Sequence, residues 1–205
     1  SIHGAGSAPL RSKVQMRPSP LRPRPACSNT RSVTRRETRA MTGANTTVKT
    51  GDLCWGGDNA ILSFGAHSGE LVQDGTTHTW RLRADDGTRV EKLFGAVGSG
   101  DDNGEYWKVT TPDGTQYFFG RSQVHASTPV TQSTWTVPVF GNQPGEPCYQ
   151  ASYAAGWCQQ AWRWNLDQVV DPHGNVMVLY YTAESNKYGR NNAATATQYT
   201  RGGWL

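Results

Sequence analysis

Thr111-Pro112-Asp113-Gly114-Thr115, set between Trp107-Lys108-Val109 and Tyr117-Phe118-Phe119, is the stretch on which the fold turns. Pro112 presets φ near −65°, and Gly114 supplies the left-handed position that closes a three-residue hairpin loop with a bulge. The same pattern stands at Ala84-Asp85-Asp86-Gly87-Thr88 and at Asp171-Pro172-His173-Gly174-Asn175. In each case the fourth residue is glycine, so Gly87, Gly114 and Gly174 are the structural turn residues. The flanking runs predict strands over 80–82 and 90–94, 107–109 and 117–119, and 164–170 and 176–181. Alternation places Trp107 with Val109, and Trp164 with Leu166, on one strand face.

Composition points the same way. Twenty-three Gly and 11 Pro in 205 residues leave little room for long helices. Only 153–160 has the pattern of a helical turn or two, and Gly156 weakens it. The expected class is all-β, built of consecutive antiparallel hairpins. Hydrophobic residues make up 36% of the chain, low for a compact enzyme, but 8 Trp and 8 Tyr bury large areas per residue, so the core is expected to be aromatic.

The third hairpin, Leu166-Asp167-Gln168-Val169-Val170-Asp171-Pro172-His173-Gly174-Asn175-Val176-Met177-Val178-Leu179-Tyr180-Tyr181, resembles the YD repeat of the Rhs and teneurin-like proteins. Three further stretches look like the region before the long YD array of large secreted actinobacterial Rhs proteins. They are Gly51-Asp52-Leu53-Cys54-Trp55, the run Gly104-Glu105-Tyr106-Trp107-Lys108-Val109-Thr110-Thr111-Pro112-Asp113-Gly114-Thr115-Gln116-Tyr117, and Trp157-Cys158-Gln159-Gln160-Ala161-Trp162-Arg163-Trp164-Asn165-Leu166. The resemblance spans 41–205. It implies a segment of a β-cage of many repeats that encloses or presents a C-terminal toxin. On this reading the chain is a structural shell or surface module, secreted or at the cell surface. Its partners are the remainder of a larger Rhs-type chain or further copies of itself.

Residues 1–40 are of another kind. They hold eight Arg and one Lys against Glu37, a net +8; the whole chain carries +4, which leaves −4 for 41–205. The run Arg17-Pro18-Ser19-Pro20-Leu21-Arg22-Pro23-Arg24-Pro25 has no hydrophobic period, so 1–40 is expected to be a disordered basic tail ahead of a β-hairpin domain at 41–205. Clustered arginines can displace counterions from a polyanion such as nucleic acid or an anionic cell wall. No aromatic residue interleaves them for base stacking, which argues against nucleic acid. No apolar core of signal-peptide length stands in 1–25, and the longest apolar run, 176–181, is a strand's length, so no membrane partner is expected.

Cys27, Cys54, Cys148 and Cys158 allow three pairings. Cys148 with Cys158 is the expected disulfide, closing a short loop over 149–157 in a chain suited to an oxidising compartment. The pairing of Cys27 and Cys54 stays open. A metal site at the cysteines lacks a Cys-x-x-Cys or a histidine at ligand spacing.

Catalytic signals are sparse. The five histidines share no motif with one another or with a nucleophile, and no phosphate-binding or cofactor-binding loop is present, so no cofactor is expected. His173 sits at a turn tip where any polar residue serves. A glycoside hydrolase needs two carboxyl groups across the scissile bond, with one kept protonated by its surroundings. Glu105, beside Tyr106-Trp107, and Glu70, before Leu71-Val72, are the candidates. Asp101 and Asp102 form an oxygen-rich run with Asn103 but lack the alternation and terminal Glu of a calcium loop. Two alternatives to the shell therefore stand: a small secreted hydrolase of glycans or esters, and a carbohydrate-binding β module, for instance for cell-wall glycan, on an aromatic surface.

Overall fold

A computed structural model describes residues 15–17, 52–58, 60–141 and 143–205. In chain order the strands are β1 (Gln15–Arg17), β2 (Leu53–Cys54), β3 (Ala60–Ser63), β4 (Gly69–Gln73), β5 (Trp80–Leu82), β6 (Arg89–Leu93), β7 (Tyr106–Thr110), β8 (Gln116–Phe119), β9 (Thr134–Phe140), β10 (Trp157–Val170), β11 (Val176–Val178), β12 (Thr182–Tyr188) and β13 (Thr197–Trp204). Among the described residues the one helical element is a 3-10 turn, Arg190–Asn192. The protein is all-β. Of the basic stretch 1–40, only β1 lies within the described residues.

The expected helical turn at 153–160 does not propagate. The Gly156 amide donates to the Ser152 carbonyl at 2.9 Å, one turn closes, and β10 begins at Trp157. A single turn fixes several dihedrals for one hydrogen bond, and the segment after Gly156 gains more by pairing along β9.

The turns explain the sheet. At 111–115 the Thr111 amide donates to the Thr115 carbonyl (3.0 Å) and the Gly114 amide to the Thr111 carbonyl (2.9 Å). At 171–175 the equivalent pair is Asp171 to Asn175 and Gly174 to Asp171, both 3.0 Å. Gly114 and Gly174 have φ of +87° and +85°, the conformation that a side chain opposes. Gly87 shares it (φ +82°), but its loop is wider and is held by aspartate side chains: the Gly87 amide donates to Asp85 Oδ1 and the Thr88 amide to Asp86 Oδ1, each at 3.0 Å. Accordingly β5 and β6 share one register pair, Trp80↔Val90, against five between β6 and β7.

The sheet runs β1-β3-β4-β5-β6-β7-β8-β10-β9-β2, with β11 on β10, and β1 also pairs β10. The pairing path therefore returns on itself, and the sheet curls around one core. Ala60, Leu62, Leu71, Leu82, Val90, Val109, Phe119 and Leu166 fill it together with Trp80, Trp107 and Trp164. The three indoles meet edge to face, with centroids 5.1 Å (Trp80–Trp107) and 5.9 Å (Trp107–Trp164) apart, the geometry their quadrupoles favour. β12 and β13 form a separate hairpin. It is tied to β10 by Gln159 Nε2 donating to the Gln198 carbonyl (2.8 Å) and Trp162 Nε1 to that of Thr200 (3.0 Å).

Among the buried polar residues, one carboxylate organises a loop. Asp167, fully buried on β10, accepts on Oδ2 from the Ser122 amide (2.7 Å), Thr131 Oγ1 (2.9 Å) and Ser133 Oγ (2.7 Å), so one carboxylate gathers the 122–133 loop. Burial pushes its carboxyl above the ordinary range, and these donors oppose the shift.

Two glycines separate the cost of backbone conformation from that of packing. Gly174 has φ +85° and nothing within 4 Å of an added β-carbon; Gly120 has φ +78°, and an added β-carbon would overlap Trp164 Cδ1 and lie 2.9 Å from Thr134 Oγ1. Gly174→Ala should lose about 1 kcal/mol in urea unfolding. Gly120→Ala should lose a further ~1–3 kcal/mol through overpacking; equal losses would contradict this placement.

Candidate functional site

Lys92 lies opposite Trp107 in the β6–β7 register, so both side chains share the face that Val90 and Val109 turn toward the core. Its ammonium ends among three aromatic rings: Phe94 at 5.5 Å and Trp80 and Trp107 each at 5.9 Å from the centroid. Two carboxylates complete the cage, with Nζ 2.9 Å from Asp58 Oδ1 and 3.0 Å from Glu105 Oε2. The Lys92 and Glu105 side chains are 12% and 16% exposed, whereas Asp58 is 51% exposed and faces solvent. The cluster caps the tryptophan layer at the end of β6 away from its turn.

Burial raises the Glu105 carboxyl to about 7, an effect that the adjacent Lys92 charge opposes and the nearby Asp101 and Asp58 carboxylates reinforce. Burial of Lys92 pulls its ammonium down, but Glu105 and Asp58 more than reverse this and its pKa is raised. An open groove of about 840 Å³ runs beside the cluster, lined by Asp58, Gln73, His78, Trp80, Lys92 and Phe94 among others. Phe94 is 56% exposed there.

Asp58 and Glu105 contact the same ammonium, so the oxygens that touch it can be no more than about 6 Å apart, a bound that admits the spacing of about 5–5.5 Å at which paired carboxyl groups act in retaining glycosidases. The ammonium fills the space between them. As it stands the arrangement is an ion-paired cap over an aromatic core, with one acid poised to titrate near neutrality.

Of the other residues singled out from sequence, Asp101 joins this cluster and the rest are dispersed. Glu70 is exposed on β4 and pairs with Arg83 at 2.8 Å, remote in role from Glu105. His173 is exposed at its turn, its amide donating to Asp171 Oδ1. Asp101 braces the cluster: Oδ2 accepts the Glu105 amide (3.0 Å) and Oδ1 the Ala161 amide (2.6 Å), tying β7 to β10. Burial raises its carboxyl as well. Asp102 is exposed, and its carboxylate comes within 4.8 Å of Cys148 and Cys158. Those sulfurs are joined to each other in the expected disulfide, so they offer no thiolate to a metal. Among the described residues no cysteine is free.

Asp58 and Lys92 were not signalled by the sequence. Asp58 follows two glycines in a loop, and Lys92 beside Glu91 has the appearance of a surface charge although it shares the period-two phase of Val90; the register that sets Lys92 against Trp107 shows it turned inward. No family model, curated protein or solved structure matches this chain.

The Glu105 shift has a fixed sign. Its proton is held more tightly in the folded chain than in the unfolded one, so its stabilisation is complete below pH 4.5 and is lost as pH rises through about 7. The protein should therefore lose on the order of 2 kcal/mol between pH 5 and pH 8 through this group. Glu105→Gln should show a shallower pH slope in urea unfolding; an unchanged slope would remove the buried acid.

Proposed function

We propose that this chain is a structural shell or surface module of a secreted Rhs/YD-repeat protein, part of a β-cage that encloses or presents a toxin. The observation that carries the reading is the tiling of like hairpins. β5–β6, β7–β8 and β10–β11 stand side by side in one curled sheet, with their glycine turns along one rim. Such a sheet grows by addition of equal units and builds a wall around an interior. The Cys148–Cys158 disulfide fits an oxidising environment, and among the described residues no helix is long and apolar enough to cross a membrane. The remainder of a larger chain, or further copies of this one, would cover the edges and apolar residues that the segment leaves bare.

One observation favours a second reading, a small secreted hydrolase: an acid near pH 7 beside a groove, with a second carboxylate in reach. The two part cleanly. A shell segment should show no turnover of chromogenic glycosides or esters, and should associate with rising concentration in sedimentation, since exposed strand edges template pairing. Turnover that survives repurification and disappears in Glu105→Gln would replace the shell by catalysis. A monomer at every concentration would remove the support that the open edges give it.

A further inference from the structure

The three hairpin turns touch in sequence. A β-carbon built on Gly87 would lie 3.5 Å from Pro112 Cγ, and one built on Gly114 would lie 3.5 Å from Pro172 Cγ. The proline of each following hairpin thus seats against the turn glycine of the one before. A β-carbon built on Gly174, which has the same φ, would meet nothing within 4 Å among the described residues. The strand that leaves this last turn, β11, pairs among the described residues with β10 alone, and its Val176 and Met177 are each 54% exposed.

We propose that Gly174 and the free edge of β11 form the docking seat for a fourth β-hairpin with proline at the second position of its turn. This inference rests on the shell reading and adds the chemistry of the occupant. The argument is continuity with two contacts already made in the molecule. The incoming hairpin lays its first strand antiparallel to β11, as β7 lies on β6 and β10 on β8, and brings its proline over Gly174. Main-chain hydrogen bonds supply affinity, and the proline–glycine contact sets the register. A second copy of this chain does not reproduce the arrangement. Two β11 strands paired about a two-fold axis run in opposite directions, which puts their turns at opposite ends and leaves both Gly174 residues uncovered. The chain's own next hairpin, β12–β13, pairs within itself and docks by way of Gln159 and Trp162 instead.

The test uses a synthetic hairpin peptide with the sequence of residues 105–120, added to the full chain at millimolar concentration, with amide hydrogen exchange as readout. The amides of 176–178 should exchange at least tenfold more slowly, and the concentration-dependent self-association should dissolve. The same peptide with Pro112→Ala should need several-fold more peptide for equal protection, and Met177→Lys in the protein should abolish the effect by placing a charge on the edge. Absence of protection at 176–178, or equal protection by the Pro112→Ala peptide, would overturn the seat. So would self-association through β11 that the peptide cannot displace. Failure of this kind without enzymatic turnover refutes the seat alone; turnover lost in Glu105→Gln refutes the shell reading beneath it.

Discussion

Strand β10 is required by four neighbours at once. Over its 14 residues it pairs with β9, β1, β8 and β11 in turn. Few sequences satisfy such a strand, because it is covered along much of its length and still has to carry the backbone hydrogen bonds of several ladders. Its middle, 164–168, is buried at every position instead of every second one. Two register shifts, between Ala161 and Arg163 and between Leu166 and Gln168, let the same strand serve four antiparallel partners along its length. The curl of the sheet, the meeting of Trp107 with Trp164 and the anchoring of the C-terminal hairpin all follow from this strand.

Covering β10 brings polar groups into the interior, and the molecule handles two of them differently. Asp167 is surrounded by hydroxyl and amide donors that organise the 122–133 loop, where Ser122 and Gln132 adopt left-handed backbone (φ +69° and +55°). A buried carboxylate with three donors on one oxygen serves as a structural node, since removing it would take that acceptor from the Ser122 amide and the Thr131 and Ser133 hydroxyls in a low-dielectric site. Lys92 and Glu105 are an ion pair at the edge of the tryptophan layer, close enough to solvent for Asp58 to share the ammonium. Burying a pair of this kind contributes little net stability when set against its desolvation. Its distinctive property is chemical: it holds an acid near neutrality beside an open groove.

The strand pattern was legible because hairpin turns are local. Gly114 and Gly174 need positive φ whatever surrounds them, and the runs on either side alternate with the pleat, so 80–82, 107–109 and 117–119 fall inside β5, β7 and β8. The disulfide was legible for the same reason, its loop being short. The expected aromatic core is present at Trp80, Trp107, Trp135 and Trp164, which are buried, while Trp204 is 59% exposed on the last strand. Boundaries were less accessible. β10 starts seven residues before the strand expected from its sequence, since its first half has a mixed pattern that only pairing with β9 resolves.

By itself, then, the sequence determined the class, the positions of the turns and the aromatic character of the interior, all of them consequences of backbone sterics and side-chain periodicity over a few residues. The tertiary structure decided what no local rule contains. It chose Asp58, not Glu70, as the carboxylate that meets Glu105 across Lys92, because those residues come from separate loops and strands joined only by the curl of the sheet. It likewise turned three separated glycines into neighbours along one rim, since strand order, not chain order, sets which turns touch.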